Sequence, residues 1–543
     1  MSEDRADAAE ADEDGGGRDE KYEIKALRKT VGSGGIIKSN NMFQLINVTI
    51  HKHPIFGYAD ISFSDRDVHQ AHPTGNRTSV IIGRNGIGKS YFLRAIVEIF
   101  RTIEANIHSD ENVKIPELKY RFGIRYYLNG HEYVITNIHT GMTPVGRNVE
   151  HAYLLKVDNQ QASWQDIRLP QRIIASSMTI ADKFPTPSAG IYYYRGVRSE
   201  RTPSTTGTRT IVRKAVDGIT DSLTHKHTTR EDISHILSEL GFQSHLEISY
   251  RFRYKGVFLR PDITPELMND IYTNWKDYFQ GRTGEVWGTK YYNALSNDSE
   301  KVELVCSFLR RCANNEEVSR NNLLVYNVFD ENNTLVDDYE VIRLLSNLDI
   351  LTFPEFKVYK QGNEKGYDFV ESSSGETQQL CQFISIMSSI ESDSLILVDE
   401  PENSSHPNWQ MSYIGWLQKI FRGYRDCHFI IATHSHFLLT DMEPEWGTII
   451  ALDKEGNGIK NIAEGVNTFC WSTDDILYRV FHVRNTRNYV FEGKLVELYK
   501  MVSNRDDKKK VVELIDELSQ YRLNGDDPLL KLLTTAKNYV ESE

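Results

Sequence analysis

One eight-residue segment constrains the fold of this 543-residue chain more than any other. The segment Gly83-Arg-Asn-Gly-Ile-Gly-Lys-Ser90 fits the phosphate-loop pattern GxxxxGK(S/T). It follows an apolar run at 78–82 that predicts a buried strand, and it opens a stretch of helical apolar spacing at 89–101. A strand, a glycine loop and a helix in this order are typical of phosphate-binding α/β domains, so the sequence predicts the α/β class.

The residue types of this loop suit a nucleotide phosphate. Glycines allow backbone N–H groups to turn toward phosphate oxygens, and the following helix N-terminus adds a favourable dipole. We expect Lys89 to bridge the terminal phosphates and the Ser90 hydroxyl to bind Mg²⁺. The alternative, a glycine turn that opens an ordinary helix, is disfavoured by the strand and helix patterns on either side. The candidate nucleotide-binding residues here are Gly83, Arg84, Asn85, Gly86, Ile87, Gly88, Lys89 and Ser90.

Two later segments place acidic and imidazole groups after predicted strands. The apolar run at 395–398 is followed by Asp399, which would hold the magnesium, and by Glu400, which would orient or deprotonate the attacking water. A second apolar run at 429–432 precedes His434, whose ring could contact a γ-phosphate. Taken alone, the acids could be a solvated turn and the histidine a packed or capping residue. The phosphate loop makes the catalytic interpretation the stronger one.

A serine-rich segment, Ser372-Ser-Ser-Gly-Glu376, precedes a third helical pattern that includes Leu380, Phe383 and Met387. Its residues are therefore expected at a helix N-terminus, where unpaired N–H groups favour anions. A plain serine cap is the alternative, and it would be preferred if the segment were not just upstream of Asp399. The candidate nucleotide-contacting residues here are Ser373, Ser374, Gly375 and Glu376.

In this order the four segments resemble the ABC-type ATPase heads of the SMC, RecF and OLD group. The resemblance implies a mixed sheet with an antiparallel β lobe, ATP and Mg²⁺ as ligands, and ATP hydrolysis with Glu400 and His434 as catalytic residues. It also implies a head-head dimer or a higher oligomer, in which residues 373–376 complete the nucleotide site of another subunit.

The chain departs from the pattern of that group at two places. The serine-rich segment 372–376 corresponds to the signature segment of these ATPases, and Ser372 stands where that segment usually begins with leucine. The predicted strand at 172–175 is not followed by the glutamine with which related ATPases contact magnesium. Ser176, Ser177 or a glutamine elsewhere in the chain is left for that role, which therefore stays open.

Within the group the chain is most similar to the Septu-type PtuA proteins, antiphage ATPases that work with an HNH nuclease and are in some systems attached to retrons. The similarity rests on residues 172–177, 182–185, 192–196 and 471–477. It implies an HNH nuclease partner and, in a retron, a reverse transcriptase and its msDNA. A RecF-like DNA-repair ATPase and a scaffold that binds ATP without hydrolysing it are the alternatives.

Composition and pattern divide the rest of the chain. The charge-rich start has too few apolar residues to form a core, and Asn129-Gly130 between strand-like runs predicts a hairpin. The predicted divisions are a disordered acidic tail and linker (1–39), an ATPase lobe with the phosphate loop and antiparallel hairpins (40–198), a mostly helical insertion (199–350), an ATPase lobe with signature, acidic pair and switch histidine (351–465), and a helical C-terminal region (466–543).

The balance of 63 basic and 76 acidic side chains gives a formal net charge of −13, which argues against a surface that coats nucleic acid indiscriminately. A local basic patch for DNA or RNA stays open. Cations cluster at 195–214, and residues 250–255 alternate aromatics with cations, although a strand that packs its aromatics inward explains the second pattern equally well. Without a signal peptide pattern or an apolar run near the roughly 18 residues that cross a bilayer, the sequence favours a cytoplasmic protein and no membrane contact.

Overall fold

The structure, a computed structural model, describes residues 43–63, 75–108, 118–138, 153–198, 208–224, 229–274, 278, 288–352, 354–443, 447–462, 468, 471–481, 489–504, 508–520 and 529–541. The tail predicted to be disordered (1–39) lies outside these residues. The chain forms two compact units, Met1–Ile476 and Leu477–Glu543. No helix in the described part of the chain is both long enough and apolar enough to span a membrane.

The strands are β1 (Gln44–His53), β2 (Gly57–Ser62), β3 (Arg77–Gly83), β4 (Arg121–Leu128), β5 (His131–Thr136), β6 (Leu154–Val157), β7 (Gln160–Gln161), β8 (Ile173–Ser177), β9 (Tyr192–Tyr194), β10 (Phe242–Arg251), β11 (Leu323–Asn327), β12 (Glu355–Lys360), β13 (Tyr367–Asp368), β14 (Leu395–Asp399), β15 (His428–Thr433), β16 (Gly447–Glu455) and β17 (Gly458–Asn461). The helices are α1 (Lys89–His108), α2 (Thr208–Thr224), α3 (Arg230–Glu239), α4 (Lys255–Phe258), α5 (Pro265–Thr273), α6 (Thr289–Leu295), α7 (Ser299–Asn314), α8 (Glu316–Asn321), α9 (Leu335–Asn347), α10 (Ser374–Met387), α11 (Pro407–Ile420), α12 (Thr473–Arg479), α13 (Tyr489–Asn504), α14 (Lys508–Ser519) and α15 (Leu529–Glu541).

A mixed sheet of 13 described strands organises the first unit, in the order β7-β6-β5-β4-β1-β2-β17-β16-β3-β15-β14-β8-β9. The run from β16 through β3, β15, β14 and β8 to β9 is parallel. Asp399 pairs in register with Ala432, and Thr433 pairs with Ile82, so β3, β14 and β15 end at one edge. Because the carboxyl ends of parallel strands share an edge, the segments that follow these three strands are brought together.

The strands from β7 to β2 form the antiparallel lobe of the same sheet. Its β4–β5 hairpin turns at Asn129 and Gly130, whose φ angles of 52° and 84° are the positive pair that a type I′ turn requires. The predicted hairpin and the predicted α/β mixed sheet with an antiparallel β lobe are confirmed.

Helix α1 carries one apolar face against this sheet. Its residues Phe92, Ile96, Ile99 and Phe100 are fully buried in a core that also takes side chains from both lobes of the sheet. The helix begins at Lys89, so burying this face fixes the position of the phosphate loop. The predicted strand, loop and helix at 78–101 are confirmed.

A second, four-stranded sheet has the order β11-β10-β12-β13 and is antiparallel throughout. Strands β10 and β11 and helices α2 to α9 come from the stretch predicted as an insertion at 199–350. Tyr250 and Phe252 in the aromatic and cationic run are buried, which matches the packed-strand alternative rather than a stacking surface.

The second unit, Leu477–Glu543, contains the helices α13, α14 and α15. They share a small core in which Leu498, Val511, Leu518 and Ala536 are buried. Each helix presents an apolar stripe to the other two, which is how short helices gain stability from packing.

Candidate functional site

Polar groups from three distant segments meet where β3, β14 and β15 end. The Ser90 hydroxyl donates a hydrogen bond to Asp399 Oδ1 at 3.0 Å. The Lys89 Nζ atom donates to the Gly83 carbonyl at 3.0 Å and lies 2.6 Å from Nε2 of His434. The same Nε2 atom lies 3.6 Å from Oε1 of Glu400. The structure therefore joins the predicted lysine, serine, acidic pair and histidine in one cluster.

The phosphate loop presents its backbone to solvent at its tip. Asn85 and Gly86 are exposed, whereas Ile87 is buried and anchors the loop. Gly86 and Gly88 have φ angles of 78° and 107°, which side chains with a Cβ atom rarely adopt. A Cβ atom on Gly88 would also lie 3.1 Å from the Phe56 ring. The glycines therefore serve the loop conformation that turns N–H groups outward.

The buried charges of Asp399 and Lys89 are only partly offset by opposite charges and hydrogen bonds nearby. Desolvation raises the pKa of Asp399 to about 7, although the Ser90 hydrogen bond opposes this shift. Desolvation also lowers the pKa of Lys89 to about 8, although the nearby carboxylates of Glu400 and Glu402 oppose this shift. A phosphate beside Lys89 and a cation beside Asp399 would each stabilise the charged form.

The Ser90 and Asp399 oxygens fit a magnesium ion. A hydroxyl and a carboxylate are the hard oxygen ligands that Mg²⁺ takes in nucleotide sites, where phosphates and water complete the shell. Asp399 is 3% exposed, and among the described residues its carboxylate accepts a hydrogen bond from the neutral Ser90 hydroxyl, so a bound cation would add a counter-charge to that of the nearby Lys89.

Glu400 is held at the border of an open cleft. Its backbone adopts φ 51°, its N–H donates to the Ala432 carbonyl at 2.8 Å, and its carboxylate accepts from Asn403 at 3.1 Å. The cleft has a volume of about 620 Å³, and its lining includes Gly86 and His434. A carboxylate in this position can reach water in front of the phosphate loop.

Burial and the nearby Lys89 cation lower the pKa of His434. Both ring nitrogens lie within 3.0 Å of Lys89 Nζ, so the neutral imidazole can accept a hydrogen bond from the lysine, and it can turn to a ligand once Lys89 moves to a phosphate. The contact of His434 with a γ-phosphate stays a prediction.

The predicted signature residues lie at the start of α10. Ser373 caps this helix by accepting the Glu376 N–H at 3.3 Å, and both Ser373 and Ser374 are exposed. Gly375 is buried against the Ser404 carbonyl, to which a Cβ atom would come within 2.7 Å. Among the described residues, the contacts found for this segment do not reach the phosphate loop. The structure thus places it outside the Lys89 cluster.

Buried amides fasten α10 to the segments around the acidic pair. Gln379 donates to the Pro401 carbonyl at 3.1 Å and to Ser405 at 2.9 Å. Gln382 donates to Ser176 at 3.4 Å. These bonds link the signature helix to the loop after β14 and to the end of β8.

The residues left open for the missing glutamine lie at the end of β8. Ser177 pairs in register with Asp399, and its hydroxyl lies 3.1 Å from that of Thr179. Asp182, which follows in the same connection, is a neighbouring negative charge that helps to raise the pKa of Asp399. Its carboxylate accepts bonds from Arg198 at 2.7 Å and from the Tyr194 hydroxyl at 2.8 Å.

Sequence reasoning missed two acids beside the site. Asp182 was visible only as part of a family-like stretch, and its distance of more than 200 residues from Asp399 in the chain gave no signal. Glu402 follows Glu400 by two residues, but nothing in a single sequence separates a buried acid from a solvated one. Its carboxylate accepts the backbone N–H of His434 at 2.6 Å.

The predicted basic cluster is largely used inside the fold. Arg195 donates to Ser389, Arg198 pairs with Asp182, and Lys214 donates to the Gly196 carbonyl. Arg201 lies outside the described residues. Arg195, Arg198 and Lys214 therefore hold the turn after β9, a role that composition does not distinguish from anion binding.

A family model matches part of the chain. Residues 314–440 match the family described as "AAA domain, putative AbiEii toxin, Type IV TA system". The match contains the signature segment, the acidic pair and His434, and it ends a few residues beyond them. With the phosphate loop on the neighbouring strand, it supports a P-loop ATPase domain.

Solved structures similar to this chain include SMC head domains. One from Thermotoga maritima is 11% identical, has a TM-score of 0.34, and covers 77% of this chain and 98% of its own. Another, from Pyrococcus furiosus and bound to the C-terminal domain of ScpA, is 11% identical with a TM-score of 0.29, covering 78% of this chain and 96% of its own. At these scores the likeness adds nothing to the argument from the site. No curated protein matches the chain.

Proposed function

We propose that the protein binds ATP with Mg²⁺ at residues 83–90 and hydrolyses it. The observation that carries this proposal is the meeting of Lys89, Ser90, Asp399 and Glu400 at one edge of the sheet. Each supplies a group that phosphoryl transfer to water requires, and the catalysis consists of positioning and charge stabilisation.

Each side chain has a defined task in this proposal. Lys89 leaves the Gly83 carbonyl and His434 to hold the terminal phosphates, and its cation offsets charge that develops there. Ser90 and Asp399 would hold Mg²⁺, which supplies charge neutralisation on the phosphate oxygens. Glu400 orients the attacking water and accepts its proton. His434 then donates a hydrogen bond to the γ-phosphate side.

We further propose that a second copy of the chain completes the site. Support comes from the exposed Ser373 and Ser374 at an uncovered helix N-terminus, whose N–H groups favour an anion. The segment's contacts run to Ser404 and Lys360 of its own chain, so the serines are free to meet a nucleotide held by another head.

We propose that in the cell this ATPase controls an associated HNH nuclease in antiphage defence. Where the system includes a retron, we propose that a reverse transcriptase and its msDNA are further partners. The PtuA resemblance supports this role, and the matched family's description names a toxin. An HNH nuclease encoded beside this chain should co-purify with it. A gene neighbourhood without any nuclease would contradict the role while leaving the ATPase proposal intact.

The hydrolytic proposal is tested by ATP turnover of the wild type and Glu400→Gln. Losing one transition-state group should lower turnover roughly 100- to 1000-fold, while Mg²⁺·ATP still binds because Lys89, Ser90 and Asp399 remain. Glu455→Gln on β16 is the matched control, since that side chain is exposed and pairs with Lys460. Equal turnover in Glu400→Gln and wild type would contradict the assigned role.

A further inference from the structure

Glu402 is a half-buried residue at the cleft, and its two carboxylate oxygens are used unequally. The Oε1 atom accepts the backbone N–H of His434 at 2.6 Å. The Oε2 atom is inaccessible to solvent and makes no well-aligned hydrogen bond among the described residues, while the Thr433 side chain and the Glu402 main chain lie close enough to the carboxylate to oppose the rise in its pKa. Burying a charged oxygen without a partner is costly. A carboxylate kept under these conditions, rather than a smaller or apolar side chain, points to a role in the adjacent site.

The Glu402 contact joins two loops that surround the reacting groups. Glu402 belongs to the loop after β14, and His434 is the first residue after β15. A second tie lies beside it, because the Ser435 hydroxyl donates to Gln410, whose amide donates to the Ser405 carbonyl at 2.8 Å. The 434–435 segment is therefore fixed to the 402–410 segment at two points, through the main chain of His434 and the side chain of Ser435.

The same contact sets where the His434 ring lies. The ring nitrogens are 2.6 Å and 3.0 Å from Lys89 Nζ, and Nε2 is 3.6 Å from Glu400. Both the Glu402 and His434 side chains line the cleft in front of the phosphate loop. A shift of the His434 backbone would therefore move the imidazole relative to both the phosphate-binding lysine and the water-activating acid.

We infer that Glu402 is a positioning residue for ATP hydrolysis, which acts by holding the His434 main chain so that the imidazole stays between Lys89 and Glu400. This inference rests on the proposed function. Glu402 does not contact the nucleotide in this role. The position of its acceptor oxygen determines the rate of hydrolysis, and its charge does not. Burial raises the pKa of Glu402, and a side chain that is needed for the position of its acceptor oxygen can tolerate this shift.

Reach and charge can be separated by two substitutions. Glu402→Gln keeps the chain length and an amide oxygen that can accept the His434 N–H, but it removes the charge. Glu402→Asp keeps the charge and withdraws the acceptor by one methylene. We expect Glu402→Gln to retain kcat within about threefold, and Glu402→Asp to lose about 10- to 100-fold in kcat with KM for ATP nearly unchanged, because misplaced groups cost rate rather than binding.

A double-mutant cycle with His434→Ala tests the route of the effect. If Glu402 acts through the imidazole, Glu402→Asp should change kcat by less than about twofold once that ring is absent, since coupled residues are non-additive. Glu455→Asp is the exposed control. Amide hydrogen exchange at His434 should be slow in wild type and Glu402→Gln and faster in Glu402→Asp, which checks the contact without activity.

The outcomes separate this inference from the function beneath it. A wild type without ATP turnover, or a fully active Glu400→Gln, overturns the proposed function and this inference with it. Suppose that the wild type hydrolyses ATP and Glu400→Gln does not. A loss of kcat in Glu402→Gln together with wild-type kcat in Glu402→Asp would then show that the charge of Glu402 matters, and it would overturn the positioning role. Additive losses of Glu402→Asp and His434→Ala would overturn the route through His434.

Discussion

The two ends of the central parallel strands use buried polar groups in opposite ways. At the amino end of β15, the His428 ring is fully buried and both its nitrogens have partners. Its Nδ1 atom accepts the Leu45 N–H at 3.1 Å, and its Nε2 atom lies 2.9 Å from the Ser79 hydroxyl. At the carboxyl end, buried Lys89 and Asp399 have pKa values displaced toward neutrality.

The amino end of these strands therefore serves stability, whereas the carboxyl end serves a ligand. A buried polar group with its hydrogen bonds made helps to specify the fold, and removing it destabilises the protein. A buried charge without full compensation costs stability and gains from a ligand of opposite sign. Substitutions at the two ends should therefore have separable effects on unfolding and on nucleotide binding.

The largest effect is expected for Lys89→Ala. Removing the lysine should weaken Mg²⁺·ATP binding by at least about 100-fold, because a charge-assisted phosphate contact in a buried site is lost. The nucleotide-free variant should unfold at the same denaturant concentration as wild type or a higher one, since a desolvated cation is gone. Calorimetric titration with ATP and urea denaturation test both halves. A Lys89→Ala variant that unfolds at a markedly lower urea concentration but binds ATP as tightly as wild type would show that Lys89 serves stability rather than the ligand.

At the other end of the strands, acid should act on folding. Burial lowers the pKa of His428 to about 3, with Arg77 adding to the shift. Between the ordinary value near 6.5 and 3, the unfolded state binds a proton that the folded state excludes, so stability falls as pH decreases through this window. The loss from this residue should approach about 1.4 kcal/mol per pH unit below 6.

Urea denaturation from pH 7 to pH 4.5 measures this slope. In His428→Gln the unfolding free energy should be lower at pH 7 and should fall less steeply with acid, while ATP affinity of the folded variant stays near wild type. A variant with the wild-type pH slope would assign the acid sensitivity to other groups.

A smaller effect is expected for Gly375→Ala, which tests the packing of α10 on the loop after β14. The new Cβ atom would lie 2.7 Å from the Ser404 carbonyl oxygen, so backbone must move. We expect ATP turnover to fall about tenfold while ATP binding to the phosphate loop is kept. The shifted loop after β14 would misplace Glu400, which slows hydrolysis but does not touch the phosphate-binding residues. Alanine at the exposed Gly423 is the control, since no atom lies within 4 Å of its added Cβ. Unchanged turnover in Gly375→Ala would show that this close contact is dispensable.

Much of the site was predictable because its residues follow strands with clear patterns. The apolar runs before Gly83, Asp399 and His434 predict strands, and adjacent parallel strands bring their following residues together. The contact between Lys89 and His434, 345 residues apart in the chain, follows from that geometry.

The remainder depends on tertiary contacts that leave no local pattern. Whether Glu402 is buried depends on the position of the loop after β15, and the role of Arg198 depends on Asp182 lying beside it. Strands β10 and β12 pair across more than 100 residues of intervening chain, so nothing in either stretch reveals the partner. Long-range pairing of this kind is set by the whole fold rather than by local propensity.

If one chain's phosphate loop works with another chain's Ser373 and Ser374, two inactive variants should restore activity when they are mixed. Ser374→Arg blocks the exposed helix N-terminus while leaving the Ser373 cap in place. Lys89→Ala and Ser374→Arg should each lack ATP turnover alone. After random re-association in equal amounts they should recover about a quarter of wild-type turnover, because half of the dimers then hold one intact site of two. A mixture as inactive as its components, or an active Ser374→Arg alone, would contradict the shared site.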